Sequence, residues 1–303
     1  MSMHVWLNGQ IVERDDARVS AFDAGFQHGI GLFETMQSVN GQVYRLPAHL
    51  NRLAASANDL RLTAELNTDL LASAVQMMVE ESDISRARVR LTITGGDLNL
   101  LQTAGSSPVT PTILIVVQPA TPYPDELFEK GASAVIADGR ANPLDRTAGH
   151  KTLNYWARLQ ALQQAAAARA SEALWFGITN HLASGSVSNV FLVKDGRLQT
   201  PFARGEELDG SLPSPVLPGI TRAAVMELAQ EMGIESDVRM LDINDVEQAD
   251  EVFLTNSSWG VLPIVNLEGR TEIGDGSVGE VTSALRSTLL RDVAGEDATS
   301  RQE

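Results

Sequence analysis

The chain has 303 residues, a net charge of -16 at pH 7 and no cysteine. That length can bury a sizeable core and suits two domains, while an acidic balance with no basic stretch argues against nucleic acid or an anionic membrane as partner. Disulfides and thiolate-bound metals are excluded, and the longest strongly apolar run, residues 113–117, is far too short to span a bilayer.

Residues 5–7 and 10–12 read as strands around an Asn8-Gly9 turn. Gly25, Gly29 and Gly31 then crowd a segment that is expected to be a loop, either plainly structural or a close approach of backbone to a ligand. Val39-Asn40-Gly41-Gln42-Val43 is a second hairpin. A helix opens at Leu46-Pro47, with Leu46, Leu50, Leu53, Ala57 and Leu60 on one face. Arg52 lies off that stripe, as a solvated charge or as a partner for a phosphate. Residues 68–81 form a second helix, and 88–94 and 112–117 read as strands. The polar stretch 95–108 between them is long enough to suspect a function.

Pro119, Pro122 and Pro124 mark residues 119–124 as a linker between an N-terminal domain, 1–118, and a C-terminal one, 125–303. Beyond it come a strand at 132–137, a loop to Lys151, and a helix to about residue 168 that is expected to bury Tyr155, Leu159, Leu162 and Ala166. Strands follow at 173–176 and 188–193, with the small-residue run 182–189 before and into the second. Leu217-Pro218-Gly219 introduces a helix over 223–232 with Gly233 closing it. A strand at 250–254 runs into the hydroxyl-rich turn 255–260, and a last helix spans 279–293. The polar end from residue 295 is expected to fray. With no basic-then-apolar leader at its start, the chain is expected in the cytoplasm.

Lysine is scarce: Lys130, Lys151 and Lys194 are the only three. Lys130 precedes Gly131 at a helix end, where a cation suits the dipole, and Lys194 precedes an Asp195-Gly196 turn. Lys151 has neither role. It is a solvated surface lysine, or an amine that loses its proton on desolvation and forms a Schiff base. Beside it stand Arg52, a helix N-terminus after Gly219 and a hydroxyl turn near Ser257, which together suit a phosphorylated aldehyde such as pyridoxal 5'-phosphate. Metal hydrolysis fits less well, because no pair among the five histidines has helical ligand spacing. No nucleophile elbow, P-loop or dinucleotide fingerprint occurs.

The order of motifs resembles the fold-type IV pyridoxal-phosphate enzymes, or class IV aminotransferases, which include branched-chain and D-amino-acid aminotransferases and aminodeoxychorismate lyase. The resemblance rests on Phe26-Gln27-His28-Gly29 with Gly31-Leu32-Phe33-Glu34-Thr35, and on Arg45-Leu46 with His49-Leu50 and Arg52-Leu53. It continues through Lys151-Thr152-Leu153-Asn154-Tyr155, Gly185-Ser186-Val187-Ser188-Asn189-Val190-Phe191, Leu217-Pro218-Gly219-Ile220-Thr221-Arg222 and Thr255-Asn256-Ser257-Ser258.

The resemblance implies a two-domain α/β (α+β) fold, with a small N-terminal α/β domain and a larger, β-barrel-like C-terminal domain with helices, assembled as a homodimer. It implies that Lys151 holds pyridoxal 5'-phosphate as a Schiff base. Arg52, the amides of Ile220 and Thr221, and Ser257 would clamp the phosphate, and Tyr155 would approach the ring oxygen. Ser184, Ser188, Asn189 and Gly219 complete the cofactor site, and Phe33, Thr35, Asn256 and Ser258 face the substrate. No metal is implied.

Three positions depart from the family pattern. Ser184 stands where relatives carry a Glu on the pyridine nitrogen, Gly95 where the lyases often carry an Arg, and Ile30 where an Asp is usual between the loop glycines. A hydrogen bond between neutral groups contributes about 0.5–1.5 kcal/mol and one with a charged group about 1.5–3. If all the difference reaches the transition state, Cα deprotonation slows about tenfold. The expected activity is an aminotransferase working on an amino acid and a 2-oxo acid. The alternatives are a lyase that eliminates pyruvate, to which Thr35 and Asn256 also correspond, and a cofactor-binding protein with little turnover.

Overall fold

The computed structural model describes residues 4–63, 66–97 and 110–296. Most of the polar stretch 95–108 and of the C-terminal end fall outside the described residues. The chain divides into two compact units, Met1–Thr121 with His150–Asn154, and Pro122–Gly149 with Tyr155–Glu303.

In the first unit the elements are β1 (His4–Leu7), β2 (Gln10–Glu13), α1 (Ala24–His28), β3 (Gly31–Val39), β4 (Gln42–Val43), α2 (Leu46–Asp59), α3 (Thr68–Ser82), β5 (Arg86–Thr94) and β6 (Ile113–Pro119). The strands form an antiparallel sheet in the order β2-β1-β6-β5-β3-β4. Side chains alternate across a strand. Leu32 and Met36 of β3 therefore join Val89, Leu91 and Ile93 of β5 on one face, beneath Leu50, Leu53 and Ala57 of α2 and Leu71, Val75 and Met78 of α3. Phe33 and Thr35 of β3 share the opposite face with Arg90, which lies across from Thr35.

The glycine-rich segment is ordered structure, which corrects the expectation of a loop. Asp23 caps α1 by accepting from the Gly25 amide at 2.7 Å, and Gly29 ends it in the left-handed region at φ 68°. Gly31 lies inside the sheet, where an added Cβ would sit 2.5 Å from the Ile93 carbonyl oxygen. Each glycine marks a boundary or a close approach, so their density reports several tight contacts in succession.

The second unit holds α4 (Glu126–Glu129), β7 (Ala132–Ala141), α5 (Trp156–Ala167), β8 (Glu172–Gly177), β9 (Leu182–Gly185), β10 (Asn189–Lys194) and β11 (Arg197–Thr200). It continues with α6 (Ile220–Glu231), β12 (Ser236–Val238), α7 (Ile243–Glu247), β13 (Glu251–Asn256), β14 (Gly260–Leu267), β15 (Thr271–Glu272) and α8 (Glu280–Ala294). Among the described residues the sheet runs β12-β11-β10-β13-β14-β7-β8-β9, with β15 on β14. β9 ends that path, yet residues 186–188 alone join it to β10. So short a link requires the sheet to curl into a half-barrel. Leu174, Phe176, Val190, Leu192, Leu254 and Ile264 fill its core.

Helix α5 buries a different face from the one its apolar spacing predicts. Ala161 and Ala165 pack on Val135, Ala137, Ala173 and Trp175, whereas Leu159 is 48% exposed and Trp156 72%. Small residues let this helix lie close to β7 and β8, so the larger residues point outward. Helix α6 begins three residues before the predicted start, at Ile220, with Gly219 as its N-cap. None of the described helices is long and apolar enough to cross a membrane.

Candidate active site

In the first unit the predicted residues Lys151, Arg52 and Phe33 come together. The five residues around Lys151 are stitched to β3: Phe33 N donates to the Lys151 carbonyl at 2.9 Å, and Leu153 N to Gly31 O at 2.9 Å. His150 fixes the same segment to α2, with Nδ1 2.9 Å from Ser56 Oγ and Nε2 3.0 Å from Asp59 Oδ2. Ser56 and Asp59 are three apart, one face of the helix.

The Lys151 amine sits 4.5 Å from the centre of the Phe33 ring, and the Arg90 guanidinium lies over that ring at 3.4 Å. A ring face attracts cations, which holds both side chains on it. Burial, then the positive charges of Arg52 and Arg90, outweigh the pull of Glu34 and lower the amine to about 8. A fraction of neutral amine therefore exists at physiological pH, which a nucleophilic lysine needs.

Arg52 is held by a residue to which sequence reasoning gave no role. Its Nε donates to Glu34 Oε1 at 2.9 Å and its Nη2 to Oε2 at 2.5 Å. His49 Nδ1 lies 2.7 Å from the same Oε2. Burial alone would raise the Glu34 carboxyl, but Arg52 and His49 hold it at about 2. Burial keeps His49 below its ordinary value. The i, i+3 spacing of His49 and Arg52 was the available signal, since it puts both on one helical face. Arg90 was also missed. Its register opposite Thr35 follows from strand pairing, which the isolated strand does not reveal.

Thr35 stays with Phe33 on β3 in the first unit, and the second unit carries the remaining candidates. Gly219, the N-cap of α6, has no side chain with which to cap it, and the first turn starts at Ile220 and Thr221. Such an end offers free amides and the positive pole of the dipole to a phosphate. Asn189 shapes it: Nδ2 donates to Leu217 O at 2.9 Å, and a Cβ on Gly219 would sit 1.9 Å from Asn189 Oδ1. Only glycine fits against that amide.

Glu172 organises the turn after β9. Its carboxylate accepts from Ala173 N at 2.9 Å, Ser186 N at 3.0 Å, Val187 N at 3.1 Å and Ser188 Oγ at 2.8 Å. Ser188 is thus committed to Glu172. Asn256 Oδ1 accepts from Ser258 N at 2.8 Å and Trp259 N at 3.1 Å, and its Nδ2 donates to Val187 O at 3.2 Å. Asn256 shapes the turn that carries Ser257 and Ser258. Ser184 Oγ accepts from Arg158 Nη1 at 3.1 Å. Tyr155 stands at the N-cap of α5. Taken by itself, the first unit has a depressed amine and a braced guanidinium, which fit an aldehyde and a phosphate; taken by itself, the second has a helix end at Gly219 that fits a phosphate.

The two units, an antiparallel sheet with helices on one face and a curled half-barrel with helices, define the fold-type IV class. A model of the class IV amino-transferase family matches residues 31–267. A Methanocaldococcus jannaschii protein named "Putative branched-chain-amino-acid aminotransferase" is 33% identical over 287 residues, 94% of each chain. The structure of a T.th. branched-chain amino acid aminotransferase with pyridoxamine 5'-phosphate matches with TM-score 0.88 and 25% identity, over 99% of this chain and 96% of that one. A 4-amino-4-deoxychorismate lyase from Pseudomonas aeruginosa matches with TM-score 0.80 and 26% identity, over 96% and 99%. The chain belongs to the class IV aminotransferase family.

Proposed function

We propose that this protein is a pyridoxal 5'-phosphate-dependent aminotransferase that moves an amino group between an amino acid and a 2-oxo acid, working as a homodimer with Lys151 as its catalytic residue. The observation that carries this reading is the Lys151 amine, brought to about 8 on the Phe33 ring beside a braced Arg52. When bound, the cofactor supplies an aldehyde carbon and an electron-withdrawing ring.

The chain's own residues have separable tasks. Lys151 Nζ would hold the cofactor, and the same amine would take up and return the substrate's Cα proton. Arg52, the amides of Ile220 and Thr221, and Ser257 hold the phosphate. Tyr155 approaches the ring oxygen. Phe33 orients the amine, and Thr35 and Ser258 face the substrate. Glu34 and Glu172 position Arg52 and the Ser184–Asn189 turn without touching substrate.

The lyase reading draws on Thr35 and Asn256. The Asn256 carbonyl oxygen already accepts two backbone amides, which weakens that reading. A panel of L- and D-amino acids with 2-oxo acids, read by absorbance and product analysis, separates the two. Conversion of the cofactor to its amine form with release of a 2-oxo acid supports the transaminase. Pyruvate and an aromatic amine from aminodeoxychorismate would support the lyase instead.

A further inference from the structure

We propose that Arg158 and Ser184 together hold the ring nitrogen of the bound cofactor unprotonated. The proposal rests on the cofactor reading above and on the family correspondence that sets Ser184 where relatives carry the Glu on that nitrogen.

Arg158 is fixed on three sides. Its Nη1 donates to Ser184 Oγ and to Gly185 O, both at 3.1 Å, and its guanidinium lies 4.3 Å from the centre of the Trp175 ring. Trp175 is itself anchored, donating Nε1–H to Ser186 Oγ at 3.0 Å, and it pairs with Ser184 across the β8–β9 ladder. The guanidinium is thus a built part of this strand end.

A serine hydroxyl has one proton to give, and a guanidinium has only donors. Ser184 Oγ therefore accepts from Arg158, and its own proton remains for a neighbour. A pyridine nitrogen with a free lone pair accepts that proton. A protonated ring nitrogen would offer a second donor to an oxygen already serving a cation, and would place a second positive charge beside Arg158. Glu172 and Tyr155 are the acidic groups that favour the charge on Arg158; the Glu172 carboxylate oxygens are turned to Ala173, Ser186, Val187 and Ser188, not to Ser184. The hydrogen-bond direction at Ser184 is then opposite to the one a carboxylate would impose, and the ring withdraws electrons less strongly.

The test uses the full-length holoenzyme loaded with pyridoxal 5'-phosphate labelled with 15N in the ring. The nitrogen chemical shift is read across pH 6–8. Borohydride fixation of the same preparation reports whether the label is bound to Lys151. A shift in the neutral pyridine range, with the label fixed, is the expected result. A pyridinium shift with the label fixed overturns the inference and leaves the cofactor reading standing. A sample in which nothing is fixed to Lys151 overturns the cofactor reading and the inference with it. In Arg158→Gln the ring nitrogen is expected to become easier to protonate; an unchanged shift over the whole pH range would remove Arg158 from the account.

Discussion

Glu34 and Arg52 form a two-point ion pair inside the first unit, with contacts of 2.9 and 2.5 Å and 1% of the Glu34 side chain exposed. This makes the guanidinium a fixed object. A flexible arginine would lose conformational freedom on meeting a phosphate, whereas this one is ordered beforehand. Removing one partner of a buried pair leaves the other charge uncompensated, typically at a cost of about 3–5 kcal/mol. Glu34→Gln is therefore expected to lower the unfolding free energy by an amount in that range, seen as a lower urea midpoint, and to weaken cofactor binding. An unchanged midpoint would contradict the bracing role.

The same carboxylate sets a pH dependence. Its value is about 2 in the folded chain against an ordinary 4.5. The unfolded chain binds the proton first, so the stabilisation from Glu34 is complete above about 4.5 and is lost as pH falls toward 2. His49 is also held below its ordinary value, which adds a loss that starts earlier, as pH falls through 6.5. Stability measured from pH 7 to 3 should decline steeply for the wild type and less steeply for Glu34→Gln. Parallel curves would show that Glu34 contributes nothing to acid sensitivity.

Lys151 also has a depressed folded value, so its slope has the same sign in a higher window, but here the charged form is the costly one. Its amine sits at about 8 in the folded chain against an ordinary 10.5. Between those values the unfolded chain holds more protons, so stability rises with pH there; below about 8 the full cost of the buried charge is present. Lys151→Met should make the cofactor-free protein more stable at pH 7, with the gain shrinking as pH approaches 10. A less stable variant at pH 7 would mean the amine is better paired than this geometry implies.

At Gly219 the contact is steric. A Cβ there would collide with Asn189 Oδ1 at 1.9 Å, forcing Asn189 off Leu217 or the start of α6 out of place. Gly219→Ala should weaken pyridoxal 5'-phosphate binding about tenfold or more, equivalent to about 1.4 kcal/mol. Titration of the cofactor into apoprotein measures this directly, and equal affinity would remove the α6 N-terminus from the phosphate site.

Restoring a carboxylate with Ser184→Glu should speed substrate Cα proton loss by up to about tenfold, the difference between a neutral and a charge-assisted hydrogen bond at the ring. Single-turnover rates with Cα-deuterated amino acids isolate that step. A rate that stays the same or falls would contradict the role given to Ser184.

Much of this was legible in the residues. The Asn8-Gly9 and Asn40-Gly41 turns, α2 from Leu46 and α3 from residue 68 follow from local chemistry, and Lys151 was marked by the scarcity of its kind. What stayed hidden depends on strand register and on volume. Arg90 meets Phe33 because β5 lies beside β3 in one particular register. Helix α5 turned its small residues inward, with Ala161 and Ala165 packed among Val135, Ala137, Ala173 and Trp175, a close approach that periodicity does not report. The glycines of residues 25–31 each answer a neighbour distant in sequence or a change of direction, so composition alone suggested a loop. The Arg158–Ser184 contact joins a helix to a strand end 26 residues later and has no local signature.

The most direct test is to reduce the cofactor-loaded protein with borohydride, digest it and locate the modified residue by mass. With lysines only at 130, 151 and 194, the outcome is unambiguous. A phosphopyridoxyl group on Lys151 alone is the predicted result; a group on Lys130 or Lys194 instead, or none on any lysine, would contradict it.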